Sequence, residues 1–128
     1  MGGPVAKRTG LVVAAAMSAA LLAAPATAHD RVWKGDAIYY ADQLSGETMA
    51  CGGKYRPRKM VAAHRKLACG TKIRVKNRAN GRVVTLTVRD RGPYGDKGTI
   101  VDVSRRAARR LRFFDDGRAN VRLTVVHD

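Results

Sequence analysis

Two segments in the middle of the chain alternate between apolar and polar residues with the period of a β-strand. Residues 72–77 place isoleucine and valine between lysine and arginine, and residues 83–89 place valine and leucine between threonine and arginine. Such alternation is typical of strands with one buried face. Asn80-Gly81 lies between the two segments and is a strong signal for a tight turn, so the pair predicts a β-hairpin. Further strands are predicted at residues 36–40, 100–103 and 121–125.

One short helix is predicted in the C-terminal third of the chain. Ser104 is a suitable N-cap residue, and Ala107, Ala108 and Leu111 fall on one helix face while arginines cover the rest. A turn at residues 115–117 ends this element. Because a sheet of about six short strands gains most by leaving no free edge, the pattern predicts a mainly β protein. We expect a closed barrel of mixed strands with one or two short helices.

Residues 1–28 have the pattern of a secretory signal peptide. A lysine–arginine pair precedes an apolar run at residues 11–24, and Ala-Thr-Ala at residues 26–28 is a small-x-small cleavage site. The apolar run is shorter than the ~20 residues that a membrane span needs, so no membrane anchor is expected in the mature form. We therefore expect a secreted, extracellular protein with one domain at residues 29–128.

The chain is strongly basic, with 25 lysines and arginines against 10 acidic residues and a formal net charge of +15 at pH 7. Such a surface attracts polyanions, among them nucleic acid and anionic cell-wall polymer. Nucleic acid is not expected as a partner, because the chain has an export signal and no helix-turn-helix, zinc-finger or RNP-like pattern. Anionic wall polymer stays open as a partner. The alternative is a solvated basic face that only keeps the protein soluble.

Cys51 and Cys69 are the only two cysteines. In an exported protein an even count favours a disulfide, which would close a loop and stabilise the fold by ~3 kcal/mol. Two buried free thiols are the alternative. Neither cysteine belongs to a CxxC redox motif, and no cysteine–histidine set has the spacing of a metal site. We expect no metal and no cofactor.

Six segments of the chain together resemble one known family. They are AIYYAD (residues 37–42), AAHRKL (62–67), GTKIRV (70–75), NGR (80–82), VRDRGPY (88–94) and DVS (102–104). With these segments the chain resembles the rare-lipoprotein-A-like (RlpA-like) domain family over nearly the whole of residues 35–126. The resemblance implies a six-stranded double-psi β-barrel, the fold shared with expansins, barwin-type proteins and family-45 endoglucanases.

The same resemblance implies an activity and also shows a departure from it. Septal members of the family cleave the glycan strands of peptidoglycan as lytic transglycosylases. Their motif implies a catalytic acid at Asp90, His64 beside it, and a glutamate just after an Ala-Ser-Gly turn. The matching turn here, residues 50–52, is followed by Gly53. A separate peptidoglycan-binding repeat domain is not expected to fit within residues 29–128. Both departures favour a protein that binds rather than cleaves, and leave open whether it is an enzyme.

The three ionisable candidates each have a structural alternative. Asp90 could protonate a glycosidic oxygen and then assist closure of the anhydro ring, or it could hold the following turn through backbone N–H groups. His64 could orient Asp90 or the substrate, or be a satisfied structural histidine. Asp102 could stabilise a strand end next to the helix cap, although expansins place a ligand-contacting aspartate there.

Tyrosines and a glutamine complete the candidate residues. Tyr39, Tyr40 and Tyr94 are predicted to line a shallow groove in which sugar rings stack, although tyrosine is also ordinary in β-strands. Gln43 is the only glutamine and lies in a predicted exposed loop, which makes it a candidate transglutaminase acceptor. An inert surface glutamine is the alternative.

Three functions from different classes follow. The chain as a whole also resembles the secreted papain inhibitors known from Streptomyces, each a lone RlpA-like barrel with one disulfide that also serves as a transglutaminase substrate. On this basis we favour an inhibitor of papain-like cysteine proteases, with trypsin-like serine proteases as further targets. The alternatives are a lytic transglycosylase that acts through Asp90, and a non-catalytic, expansin-like module that binds wall polymer.

Overall fold

The alternating segments form strands where their pattern predicts them. The computed structural model describes residues 31–127, so the predicted signal peptide at residues 1–28 lies outside the described residues. Within the described residues there are six strands and one α-helix. They are β1 (Val32–Tyr39), β2 (Val61–Ala63), β3 (Lys72–Asn77), β4 (Val83–Asp90), β5 (Thr99–Val103), α1 (Arg105–Arg110) and β6 (Ala119–Val125). A single 3-10 turn at Asp42–Leu44 follows β1.

The six strands close into a barrel in the order β1-β5-β2-β4-β3-β6. β1 pairs in parallel with β5 and β2 in parallel with β4, whereas the other neighbours are antiparallel. The predicted hairpin is present as β3 and β4, with Gly81 at φ 77° in the turn between them. The mainly β, double-psi barrel prediction is confirmed.

Apolar side chains from every strand fill the barrel interior, and α1 covers one side of it. Ser104 caps the helix as predicted, since its hydroxyl oxygen accepts a hydrogen bond from the Ala107 N–H at 3.3 Å. Ala107, Ala108 and Leu111 are fully buried on the predicted apolar face. The largest buried interior residues include Ile73, Val75, Leu86, Val88, Val101, Val103, Val121 and Leu123.

A second, smaller apolar cluster lies outside the barrel on β2, beneath the segment that joins β1 to β2. Its members are Tyr40, Met49, Tyr55, Val61 and Ala63. A disulfide between Cys51 and Cys69 ties this segment to the loop after β2, with the two Cα atoms 5.8 Å apart. The predicted bridge is therefore present. None of the helices in residues 31–127 has the length and apolar character that a membrane span requires.

Candidate active site

A register shift between β2 and β4 brings two aspartates to the same face of the barrel. Strict alternation would leave Asp90 on the inward face with Val88. Ala62 pairs with Val88, but Ala63 pairs with Asp90, so one residue of β4 is skipped. Such a bulge re-aims a side chain. On its other side Ala63 pairs with Asp102 of β5. The two aspartates therefore flank Ala63, two strand spacings or ~10 Å apart between Cα atoms.

Three donors face the Asp90 carboxylate. The Tyr40 hydroxyl donates to Oδ2 at 2.6 Å, the Ala50 backbone N–H donates to Oδ1 at 2.7 Å, and the Arg91 backbone N–H donates to Oδ1 at 2.9 Å. An ionised carboxylate only accepts hydrogen bonds, so this environment matches its chemistry. The Arg91 contact is the turn-holding interaction expected of a structural aspartate, whereas the other two come from distant parts of the chain.

Tyr40 is held in place by a second tyrosine. The rings of Tyr40 and Tyr55 stack at 4.2 Å between centroids, and the Tyr55 hydroxyl accepts a hydrogen bond from the Arg105 backbone N–H. Burial, together with the hydrogen bond to Asp90, raises the pKa of the Tyr40 hydroxyl far above its usual range. Burial also raises the pKa of Tyr55. Both hydroxyls therefore stay protonated, and Tyr40 remains a donor to Asp90.

Asp102 has the opposite surroundings. Its Oδ1 is buried and has no hydrogen-bond partner within residues 31–127. Burial first, and then the negative charge of Asp90, raise the pKa of the Asp102 carboxyl to about 7. A carboxyl that loses hydration without gaining donors favours its neutral form. Near neutral pH a substantial fraction of Asp102 therefore carries a proton that it could donate.

His64 lies directly after β2, and its ring faces Trp33 of β1. Its Nδ1 accepts hydrogen bonds from the backbone N–H groups of Lys66 and Leu67, each at 3.1 Å, and its ring meets Trp33 edge-on at 4.9 Å between centroids. Its backbone N–H donates to the Asp90 carbonyl at 3.1 Å. Through these contacts His64 holds the turn after β2 and the end of β4.

The three predicted groove tyrosines do not share one surface. Tyr40 is buried under Asp90, as described above. Tyr39 points to the other side of β1, where its hydroxyl donates to the Phe114 carbonyl and its ring stacks on Phe114 at 4.7 Å. Tyr94 is 73% exposed in the loop after Asp90. Gln43 is exposed in the 3-10 turn, as its sequence context predicts.

Two arginines that sequence reasoning did not single out fix the loops around the pair. Arg65 donates to the carbonyls of Pro93, Asp96 and Thr99, which fastens the loop between β4 and β5. Arg91 donates to the Leu67 carbonyl at 2.6 Å and thereby holds the loop after β2. Both belong to the AAHRKL and VRDRGPY segments, but an arginine that binds backbone carbonyls leaves no signal of its own in a single sequence.

The backbone conformation at Gly53 agrees with the absence of the glutamate that the family motif implies. Gly53 is exposed with φ at 81°, and it follows Gly52 at φ 92°. Residues other than glycine rarely adopt this left-handed region. The turn therefore has a backbone suited to glycine at the position where the family motif implies a glutamate. Within residues 31–127 no group of three or more histidine, cysteine or acidic side chains is arranged to hold a metal ion.

The closed barrel with its two parallel strand pairs, together with the aspartate pair on β4 and β5, defines a double-psi β-barrel protein with a carboxylate site. A family model described as lytic transglycolase matches residues 33–123. The chain belongs to this RlpA-like double-psi β-barrel family.

Several relatives in this family are named after an enzymatic activity. The chain is 41% identical over 96 residues to a probable endolytic peptidoglycan transglycosylase RlpA of Nostoc sp., covering 73% of this chain and 26% of that protein. It is 37% identical over 93 residues to the endolytic peptidoglycan transglycosylase RlpA of Neisseria meningitidis serogroup A, covering 72% of this chain and 38% of that protein. The chain thus spans well under half the length of these relatives.

Solved structures of low sequence identity share the fold. The Streptomyces papain inhibitor superimposes with a TM-score of 0.62 at 24% identity, covering 77% of this chain and 96% of that one. An expansin of Clavibacter michiganensis, in complex with cellohexaose, has a TM-score of 0.61 at 23% identity and covers 77% of this chain and 52% of that one. At such identities the likeness is one of fold alone.

The prediction that the chain is a papain-type protease inhibitor is therefore wrong. Relatives at 33–41% identity are named peptidoglycan transglycosylases, whereas the inhibitor matches only as a distant structural neighbour. Tyr55, in the basic segment at residues 54–59, is 1% exposed and stacked on Tyr40, so its ring is not available to enter a protease cleft. Trypsin-like targets were part of the inhibitor prediction and are wrong with it, whereas Gln43 as a transglutaminase acceptor stays a prediction.

Proposed function

We propose that this chain cleaves the glycan strands of peptidoglycan as a lytic transglycosylase, with Asp90 as an essential carboxylate. The observation that carries the proposal is the aspartate pair on either side of Ala63. Relatives named endolytic peptidoglycan transglycosylases support the substrate class. Because peptidoglycan lies outside the cytoplasmic membrane, an extracytoplasmic location and contact with wall polymer belong to the same proposal.

The reaction sets clear requirements for the two carboxyl groups. The bond between the anomeric carbon C1 and the bridging oxygen breaks, and the 6-hydroxyl oxygen of the same sugar forms a new bond to C1. The leaving oxygen gains a proton and the 6-hydroxyl loses one, so no water is consumed. A proton donor must therefore face the bridging oxygen, and a proton acceptor must face the 6-hydroxyl.

The surroundings of the two aspartates suit these two roles. Asp102 has its pKa raised to about 7 and so retains a proton for the leaving oxygen near neutral pH. Asp90 is held as an acceptor by three donors, which positions a negative charge for the developing charge at C1 and for the 6-hydroxyl proton. The family motif implies the acid at Asp90. The environments favour Asp102 for the first proton, with His64 as a positioning residue for Asp90.

Digestion of purified peptidoglycan tests this proposal. The protein is incubated with intact sacculi, and 1,6-anhydromuropeptides are quantified by mass spectrometry. We expect steady release of anhydro products, and a loss of at least ~100-fold for Asp90→Asn and for Asp102→Asn, the usual size of an acid–base contribution.

A matched substitution controls for the change of charge. Asp116→Asn alters an exposed aspartate outside the site and should leave the rate unchanged. Circular dichroism and thermal melting establish that each variant is folded. An Asp90→Asn variant with the full rate, or products that carry only hydrolysed reducing ends, would contradict the proposal.

A further inference from the structure

Five cations occupy the outer face of β1, β6 and β3, and we call this surface the basic face. Its members are Lys34 on β1, Arg122 on β6, and Lys72, Arg74 and Lys76 on β3. All five are exposed. The alternation that buries Ile73, Val75 and Leu123 inside the barrel turns these five outward, so the basic face is a direct product of the strand pattern.

The strand register lines up three of these cations. Lys76 pairs with Arg122, and Arg122 pairs with Lys34, so three positive residues stand side by side across three neighbouring strands. Neighbouring strands are ~4.8 Å apart. Like charges directly opposite each other destabilise a sheet. The row of like charges therefore lowers the stability of the sheet, and a bound anion would reduce the repulsion between them.

No carboxylate of the described residues neutralises the basic face. Within residues 31–127 none of the five side chains forms an ion pair with a carboxylate. Asp36, the acidic residue next along the same side of β1, is bound to Arg118 at 2.8 Å and to the Asn120 amide at 3.2 Å. The positive charge of the five side chains therefore remains available to a partner from outside the chain.

Three of the five cations, Arg74, Lys76 and Arg122, border a shallow depression. A volume of about 300 Å³ lies between Arg74, Lys76, Val83, Arg122 and Thr124 and opens widely to solvent. Such a surface encloses no small molecule, whereas a linear polyanion can place successive charges along it and release condensed counterions at each contact. We propose that the basic face binds a linear phosphodiester polymer of the cell wall.

The composition of the basic face argues against single-stranded nucleic acid as its occupant. Single-stranded nucleic acid is held by stacking its bases on aromatic side chains. The depression is lined only by arginine, lysine, valine and threonine. A polyol phosphate chain has no bases to stack and needs only cations along its path. The wall source of the polymer rests on the proposed function, whereas the binding itself does not depend on Asp90.

The basic face lies opposite the site in the barrel. In the order β1-β5-β2-β4-β3-β6, β6 is three strands from β2 and β3 is three strands from β5. A polymer bound there would leave Asp90 and Asp102 open to a glycan strand. The basic face would then hold the protein in the wall while the opposite side acts on the substrate.

Binding to poly(glycerol phosphate) teichoic chains, measured by isothermal titration calorimetry at several salt concentrations, tests the proposal. The variant Lys34→Gln/Lys76→Gln/Arg122→Gln removes the cation row. We expect it to bind at least ~10-fold more weakly at about 50 mM salt, and its slope of log K against log salt to be shallower by about two to three. Its thermal midpoint should not fall, because the substitutions remove facing like charges.

The matched control is Lys54→Gln/Arg58→Gln/Lys59→Gln, which removes the same charge from exposed positions on the loop before β2. It should change the affinity by less than about threefold, since charges beyond a Debye length are screened. Equal losses for both triple variants, no binding by the unmodified protein at about 50 mM salt, or equally tight binding of duplex DNA would each overturn the proposal. Asp90→Asn should bind the polymer normally, so a failure of the proposed catalysis is recognised separately.

Discussion

Asp90 and Asp102 have the same side chain, but their immediate neighbours give the two carboxyl groups different hydrogen-bond partners. Asp90 and Asp102 both pair with Ala63, one through a parallel and one through an antiparallel ladder. Asp90 receives hydrogen bonds from a buried tyrosine and two backbone N–H groups. Asp102 has a buried oxygen with no partner among the described residues. The proposed roles of Asp102 as proton donor and Asp90 as proton acceptor depend on this difference in hydrogen-bond partners.

The raised pKa of Asp102 predicts a specific pH dependence of stability. Its carboxyl ionises near pH 3.8 in the unfolded chain and near pH 7 in the folded protein. Between these values the folded state binds more protons, so its free energy of unfolding falls as the pH rises. Asp102→Asn cannot ionise. The unfolding free energy of this variant relative to the unmodified protein should therefore increase from about pH 4 to about pH 7 and then level off.

Urea unfolding of both proteins at intervals across this pH range measures the difference. Asp36 and Asp96 have lowered pKa values, because Arg118 bonds to the first and the Gly98 N–H to the second. Their contribution is lost at lower pH, below about 4, and is common to both proteins. If the free energies of unfolding of Asp102→Asn and of the unmodified protein change in parallel with pH, folding does not raise the pKa of the Asp102 carboxyl.

At the scale of elements, the strands that alternate over six or more residues were predictable, whereas the strand at the centre of the site was not. β3 was predicted with the bounds that it has, and the predicted hairpin to β4 is present. β2 has three residues, all buried, and so has no alternation to detect. The bulge that turns Asp90 toward β2 likewise depends on pairing between distant segments, which one sequence does not reveal. For this reason Asp90 and Asp102 were each found by motif, but their pairing was not.

The end of α1 provides a test of local backbone preference. Arg112 follows the last helical turn with φ at 63°, a conformation in which glycine is favoured over residues with a Cβ atom. Arg112→Gly should therefore raise the free energy of unfolding by ~0.5–1 kcal/mol. Arg110→Gly, two residues earlier and at the last residue of α1, should instead lower it by up to ~1 kcal/mol.

The two substitutions are compared by the sign of the change in the free energy of unfolding. Both substitutions remove one exposed arginine, so their effects on net charge are equal. Chemical denaturation at one pH and salt concentration is sufficient. If both variants lose stability by the same amount, the positive φ at residue 112 carries no strain and the interpretation of the helix end is incorrect.

For the whole molecule, the fold could be predicted from the sequence but did not decide the function. Barrels of this shape occur in a papain inhibitor and in an expansin as well as in this family. The absence of a glutamate at Gly53 favours an inhibitor when the sequence is considered alone. The order of residues along the chain does not show that Asp102 lies near Asp90 and could be a second carboxyl group. Closure of the barrel brings β5 beside β2, and only then do the two aspartates become neighbours.

The disulfide connects the stability of the whole molecule to the geometry of its site. Cys51 lies directly after Ala50, whose N–H binds Asp90, and Cys69 lies in the loop that Arg91 holds. Replacing both cysteines by alanine should lower the free energy of unfolding by ~3 kcal/mol, since an 18-residue loop is no longer closed in the unfolded chain. The segment that carries Ala50 should also loosen, so the anhydromuropeptide release that we propose should fall at temperatures where circular dichroism still reports a folded barrel. The double serine variant controls for the chemistry of the replacement and should behave alike. A double variant that keeps both the stability and the rate of the bridged protein would mean that the barrel alone positions the Ala50 N–H against Asp90.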